Sequence, residues 1–152
     1  MTMIMTSRKS LLLLCAAIGF LFLSVGARAQ TKQVKAQNEI RAVLNNQVAA
    51  WNSGDIAGFM QGYWNSPDTT FSGRTLTRGW QTVLDNYKKN YDTAEKRGVL
   101  NFDNLEINVL SKDAAFVIGE WAIKSETNPK GRFTLVFRKL KDGWRIVHDQ
   151  TY

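Results

Sequence analysis

The chain holds a single histidine, His148, and the residue after it is an acid, Asp149. An imidazole titrates near neutral pH and can give or take a proton there. His148 is therefore the first candidate for acid–base chemistry. A local His–Asp dyad does not follow from the adjacency. The run from Trp144 to Thr151 reads as β, and side chains alternate across a sheet. Trp144, Ile146, His148 and Gln150 share one face; Arg145, Val147, Asp149 and Thr151 share the other. A bulge would change this parity, but nothing in the sequence requires one. The face with two large apolar residues is expected to meet the core, and it takes His148 and Gln150 with it. The competing reading is a histidine hydrogen-bonded in a packed wall or at an interface.

The same parity question applies to Glu120 and Trp121 in the strand before: if one points inward, the other points out. The indole is the expected inward side chain, and Glu120 is then solvated or paired at an interface. Other chemistries are excluded more simply. One histidine and one cysteine cannot build a closed zinc site of the usual kind. The chain has no phosphate-cradling glycine loop and no Gly-x-Ser-x-Gly elbow. No metal site and no cofactor is expected.

Positioning these residues requires a sheet and something to cover it. Val34, Ile40, Val43, Leu44, Val48 and Trp51 recur at helical spacing, which predicts a helix over 30–51. Asn52-Ser53-Gly54-Asp55 ends it, with Gly54 suited to the C-terminus and Ser53 or Asp55 to capping the next element. A short helix is expected over 56–64, a short strand at Thr69–Ser72, and a loop from Thr75 to Gly79. A third helix follows from Trp80 to Asn90. After Gly98 the chain reads as strand to its end. The strands are expected over 99–110 and 114–125, followed by a hairpin turning at Asp142-Gly143, a strong hairpin dipeptide. Helices before an antiparallel sheet make an α+β fold. The sheet should curl around three N-terminal helices and leave a cone-shaped space between them.

The N-terminus reads as a leader. Arg8 and Lys9 precede an apolar run, Leu11 to Val25, and Ala27-Arg28-Ala29 places small residues where a signal peptidase reads. That run is shorter than the roughly 20 residues of a spanning helix. Residues 1–29 are expected to be a cleaved secretory signal and 30–152 a single domain, exported to the periplasm. The only cysteine, Cys15, would leave with the leader. Removing Arg8, Lys9 and Arg28 lowers the formal charge from +7 to +4. The remaining basic clusters are short, which argues against nucleic-acid binding.

Within this element order stand Ala50-Trp51-Asn52-Ser53-Gly54-Asp55, Gly79-Trp80, Gly119-Glu120-Trp121, Gly131-Arg132-Phe133-Thr134, Phe137-Arg138-Lys139, Asp142-Gly143-Trp144 and Ile146-Val147-His148-Asp149. With these residues in place the chain resembles the nuclear transport factor 2-like superfamily, in its SnoaL-like and kinase-association-domain branch. Where many relatives carry a second histidine in the last strand, this chain has Gln150. The resemblance implies a cavity between the helices and the concave sheet face, suited to a small apolar or amphipathic molecule. It places His148 there as a catalytic candidate, with an isomerase- or hydrolase-like reaction in view. Tyr63, Arg74, Trp80, Trp121 and Gln150 become ligand-binding candidates, Arg74 as an anchor for an anionic group. It also implies a homodimer through the outer sheet face. The alternative function is non-enzymatic: a dimerisation or partner-binding module.

Overall fold

The computed structural model describes the backbone from Arg8 to Tyr152 and the side chains from Gln30 onward. The leader expected over residues 1–29 lies outside the described residues in its side chains, and from Met1 to Ser7 altogether. The described chain divides after Lys35 into two units, the second being Ala36–Tyr152. Among the described residues no helix is long and apolar enough to cross a membrane.

The first helix, α1, runs Arg8–Ser53. Ile40, Leu44, Gln47 and Trp51 lie at spacings of four, three and four, and all are buried. This is the stripe expected of a helix that packs one face on a core. At the end of this helix each of Trp51, Asn52, Gly54 and Asp55 has a contact of its own. Trp51 fills the core and donates through Nε1 to the carbonyl of Arg97 at 3.1 Å. Asn52 pairs in both directions with the backbone of Leu100, at 3.0 and 2.8 Å. Gly54 takes φ +86°, a conformation that disfavours a side chain, and its N–H closes on Trp51. Asp55 then caps α2 (Ile56–Met60), accepting the Gly58 N–H at 2.7 Å.

Helix α2 is shorter than predicted. The chain leaves it at Gln61 so that Gly62 and Trp64 can pair with Ile146: the Ile146 N–H donates to Gly62 and the Trp64 N–H to Ile146, both at 2.9 Å. Strands β1 (Thr70–Ser72) and β2 (Leu76–Arg78) form a small hairpin. The segment Leu76–Arg78 was expected as loop; three residues with Thr77 as their one half-buried side chain give little periodic signal. Helix α3 spans Trp80–Asn90 and the one-turn α4 spans Ala94–Arg97.

The long strands are β3 (Val99–Val109), β4 (Ala114–Lys124), β5 (Lys130–Leu140) and β6 (Gly143–Thr151). The sheet order is β2-β1-β6-β5-β4-β3. Every pair is antiparallel except β1 and β6, where Thr70, Phe71 and Ser72 run parallel to His148, Asp149 and Gln150. The α+β class holds, with helices on a curved sheet of six strands.

The alternation of β6 does not hold. Val136 pairs with His148, but the next residue, Phe137, pairs with Ile146. Val147 is the extra residue of a β-bulge, and parity reverses beyond it. Trp144 and Ile146 are buried on one side of the irregularity, and Asp149 is buried on the other. His148 and Gln150, expected on the core face with Trp144 and Ile146, turn to the opposite face.

Candidate functional site

A cavity of about 110 Å³ lies in the second unit, between the helices and the sheet. Nine of its lining residues are aromatic: Trp51, Phe59, Tyr63, Phe71, Tyr87, Tyr91, Phe102, Trp121 and Phe133. The rings form two walls. In the first, Tyr87 contacts Trp51, Phe59, Phe71 and Tyr91, with centroids 5.3 to 6.1 Å apart. Trp51 also packs edge-on against Phe59 at 5.2 Å and Tyr91 at 4.7 Å. In the second wall, Phe102 meets Phe133 at 5.2 Å, edge to face. Interlocked rings of this kind hold a rigid boundary, since each pair adds about 0.5–1.5 kcal/mol beyond its buried area.

The polar part of the cavity is small and centres on Asp149. This residue is 3% exposed. Its Oδ2 accepts the Tyr63 hydroxyl at 2.6 Å and its Oδ1 accepts the Thr151 hydroxyl at 2.6 Å. Burial raises the Asp149 carboxyl above its ordinary range, against the opposing pull of the two hydroxyls and of nearby His148. Burial also raises the Tyr63 phenol well above its usual value, and the Asp149 charge adds to it. Tyr87 is raised for the same two reasons in the same order. No lysine or arginine lines the cavity. Gln47 spends its amide N–H on the carbonyl of Phe59 at 3.1 Å, and the Trp121 indole N–H is buried without a partner.

The predicted site residues divide. Tyr63 and Trp121 line this cavity. His148 does not: its Nδ1 lies 2.6 Å from the Thr70 hydroxyl, on the opposite sheet face and across the parallel β1–β6 pair. Gln150 is exposed on that same face. Both were expected inside, and the Val147 bulge is the reason they are not. Trp80 stands at the start of α3 and ties it to α2 by donating to the Met60 carbonyl at 2.9 Å; it is outside the cavity lining. Arg74 is exposed at the β1–β2 turn, outside the cavity lining, on an adjoining cleft with Asn86 and Asn90 that shares Phe71, Tyr87 and Tyr91 with the cavity. Glu120 lies outside the lining, 3.4 Å from Arg132 and accepting from Asn104 at 2.8 Å. Among the described residues no three metal-ligating side chains converge.

The residues missed from the sequence are Asp149 and Thr151. Their i, i+2 spacing on one strand face was the available signal. It became informative only once that face was known to point inward.

An α+β domain with an aromatic cavity between helices and a curved sheet, and a buried acid in the cavity lining, is the class that these features define. The chain belongs to the SnoaL-like domain family, whose pattern matches residues 40–151. It is similar to a nuclear transport factor 2-like protein of unknown function from Shewanella oneidensis MR-1, at 38% identity over 76% of this chain and 97% of that one, with a TM-score of 0.73. A nuclear transport factor 2-like superfamily protein from Salmonella enterica serovar Typhimurium shares the fold at 24% identity, covering 82% of this chain and 92% of that one, with a TM-score of 0.60. A cystatin-like-fold domain of unknown function from Nostoc punctiforme does so at 18% identity, 77% and 76% coverage, and a TM-score of 0.65. No curated protein matches the chain.

Proposed function

We propose that this chain is a periplasmic small-molecule-binding domain whose aromatic cavity takes a small apolar or amphipathic ligand, with Asp149 and Tyr63 as its polar anchor. The observation that carries this reading is the arrangement itself: nine rings around a space with one carboxyl group, Asp149, held at 2.6 Å by two hydroxyls. Apolar walls with a few placed polar groups are the usual composition of a ligand site. The volume is near that of the engineered cavity of ~150 Å³ that holds a benzene ring, so the enclosed part of the ligand is about one ring or one branched headgroup. A carboxyl raised by burial beside a phenol also supports proton transfer of an isomerase- or hydrolase-like kind. Such a step would use Asp149 in place of His148.

The test is thermal denaturation with a panel of small aromatic and alicyclic compounds. Binding to the folded state alone raises Tm in proportion to ligand excess. A hit should lose its effect in Phe133→Arg, which fills the sheet-side wall. A panel without any stabilising member would overturn the reading.

Export is supported by the segment from Arg8 to Ala29. N-terminal sequencing of protein recovered from the periplasm should begin at Gln30; an intact Met1 would overturn it. A homodimer through the outer sheet face is supported by Ile118, a large apolar side chain left 41% exposed on β4, one strand in from the sheet edge. Light scattering should give twice the chain mass, falling to one in Ile118→Lys.

A further inference from the structure

The charge inside the cavity is unbalanced. Asp149 is its only charged lining residue, and every Lys and Arg of the described chain lies elsewhere. The Tyr63 and Thr151 hydroxyls occupy one lone pair on each carboxylate oxygen, and a carboxylate can accept about four hydrogen bonds. Buried charges in folded proteins are normally paired. Here the surroundings are instead aromatic rings, and the face of such a ring is negative and attracts a cation within about 6 Å of its centroid. Acid and rings therefore favour the same kind of ligand.

We infer that the cavity selects a small organic ammonium ion, seated among the Trp51, Phe59, Tyr63 and Tyr87 rings with Asp149 as its counter-charge. This rests on the ligand-binding reading above and narrows it to a class of ligand. A neutral ligand of the same shape fills the same volume but leaves the carboxylate unpaired or protonated. An anion meets the Asp149 carboxylate and has no lysine or arginine in the lining to offset it. The chain's positive formal charge opposes a cation only at long range. It is spread over the surface and screened beyond about 8 Å at physiological salt, whereas Asp149 and the rings act in contact.

The test uses choline and its uncharged isostere 3,3-dimethylbutan-1-ol, with indole as an apolar control, titrated into the purified protein by calorimetry at pH 8 and pH 5. Choline should bind about tenfold or more tightly than the alcohol at pH 8, the scale of a desolvated cation–π contact. Its affinity should be the lower at pH 5, because the buried carboxyl, raised above its ordinary range, is more protonated there than at pH 8, while the alcohol's stays level. Asp149→Asn, checked for folding by circular dichroism, should remove most of choline's advantage and leave indole unaffected. If that variant does not fold, the wild-type pH series decides. If the alcohol or indole binds as tightly as choline, the cation inference is wrong and the ligand-binding reading stands. If none of the three binds at millimolar concentration, both are wrong.

Discussion

The Tyr63 hydroxyl donates to Asp149 at 2.6 Å across eighty-six residues of chain. Two backbone features bring them together. Gly62 and Trp64 pair with Ile146 on the side of β6 that β1 joins further along the strand, which fixes Tyr63 beside that strand. The bulge at Val147 then turns Asp149 inward, three residues after Ile146. Neither feature alone makes the contact. The same bulge that builds the pair removes His148 from it.

Tyr63→Phe should therefore destabilise the protein by about 1–3 kcal/mol, the cost of leaving a buried acceptor without a donor. The ring remains, so the Phe59 contact at 6.0 Å is kept. The hydroxyl favours the ionised carboxyl, so its loss raises the Asp149 carboxyl further. The penalty should be greater at pH 7.5 than at pH 4.5. Urea denaturation at both values reads this, and an equal penalty would show that Tyr63 does not bear on the charge of Asp149.

Asp149 also sets a pH dependence for the whole domain. Its carboxyl lies above the ordinary value of 3.8 in the folded protein. The native state thus keeps a proton that the unfolded chain has lost. The stability from this group is complete below about pH 4 and is lost as pH rises through the folded value. Asp149→Asn does not titrate. Its stability relative to wild type should climb from pH 4 to pH 7, whatever fixed cost the amide carries. A difference that is flat or falls with pH would mean the carboxyl is not raised by burial.

Much of the fold was legible because its signals are local. Gly54 and Asp55 end one helix and begin the next through contacts within four residues. The bounds of α3, Trp80 to Asn90, follow from a stripe and a preceding Gly. The Asp142-Gly143 turn is where it reads. The site was less legible because the bulge is a tertiary effect. Trp144, Ile146 and Val147 are all apolar, so the sequence is compatible with either parity beyond them. The deciding contact comes from Gly62 and Trp64, far away in sequence. Tyr63 and Trp121 were reachable as aromatic residues on inward-facing elements. Asp149 required the bulge.

Gly119→Ala should constrict the cavity from the sheet side. A methyl group there would meet the tip of the Phe133 ring at 2.5 Å and Leu105 at 2.8 Å. Gly119 lies where β3 shifts register between Asp103 and Glu106, so both neighbours crowd one position. Phe133 lines the cavity, and its displacement reduces the space for a ligand. Overpacking of this kind costs about 1–3 kcal/mol. Thermal denaturation should show the loss, and any ligand found for the wild type should bind more weakly. Unchanged Tm would mean that the ring moves freely and the wall is not rigid.

His148→Ala tests the division between the two sheet faces. The imidazole bonds the Thr70 hydroxyl at 2.6 Å, joining β1 to β6 on the face away from the cavity. Its removal should cost about 0.5–1.5 kcal/mol, the net worth of one hydrogen bond. Ligand affinity should be unchanged, and so should any turnover, because no atom of His148 lines the cavity. The contrast is with Asp149→Asn, which should alter the polar end of the cavity directly. A variant of His148 that folds normally yet loses binding or turnover would place the chemistry on the outer face after all, and would make Asp149 a structural acid.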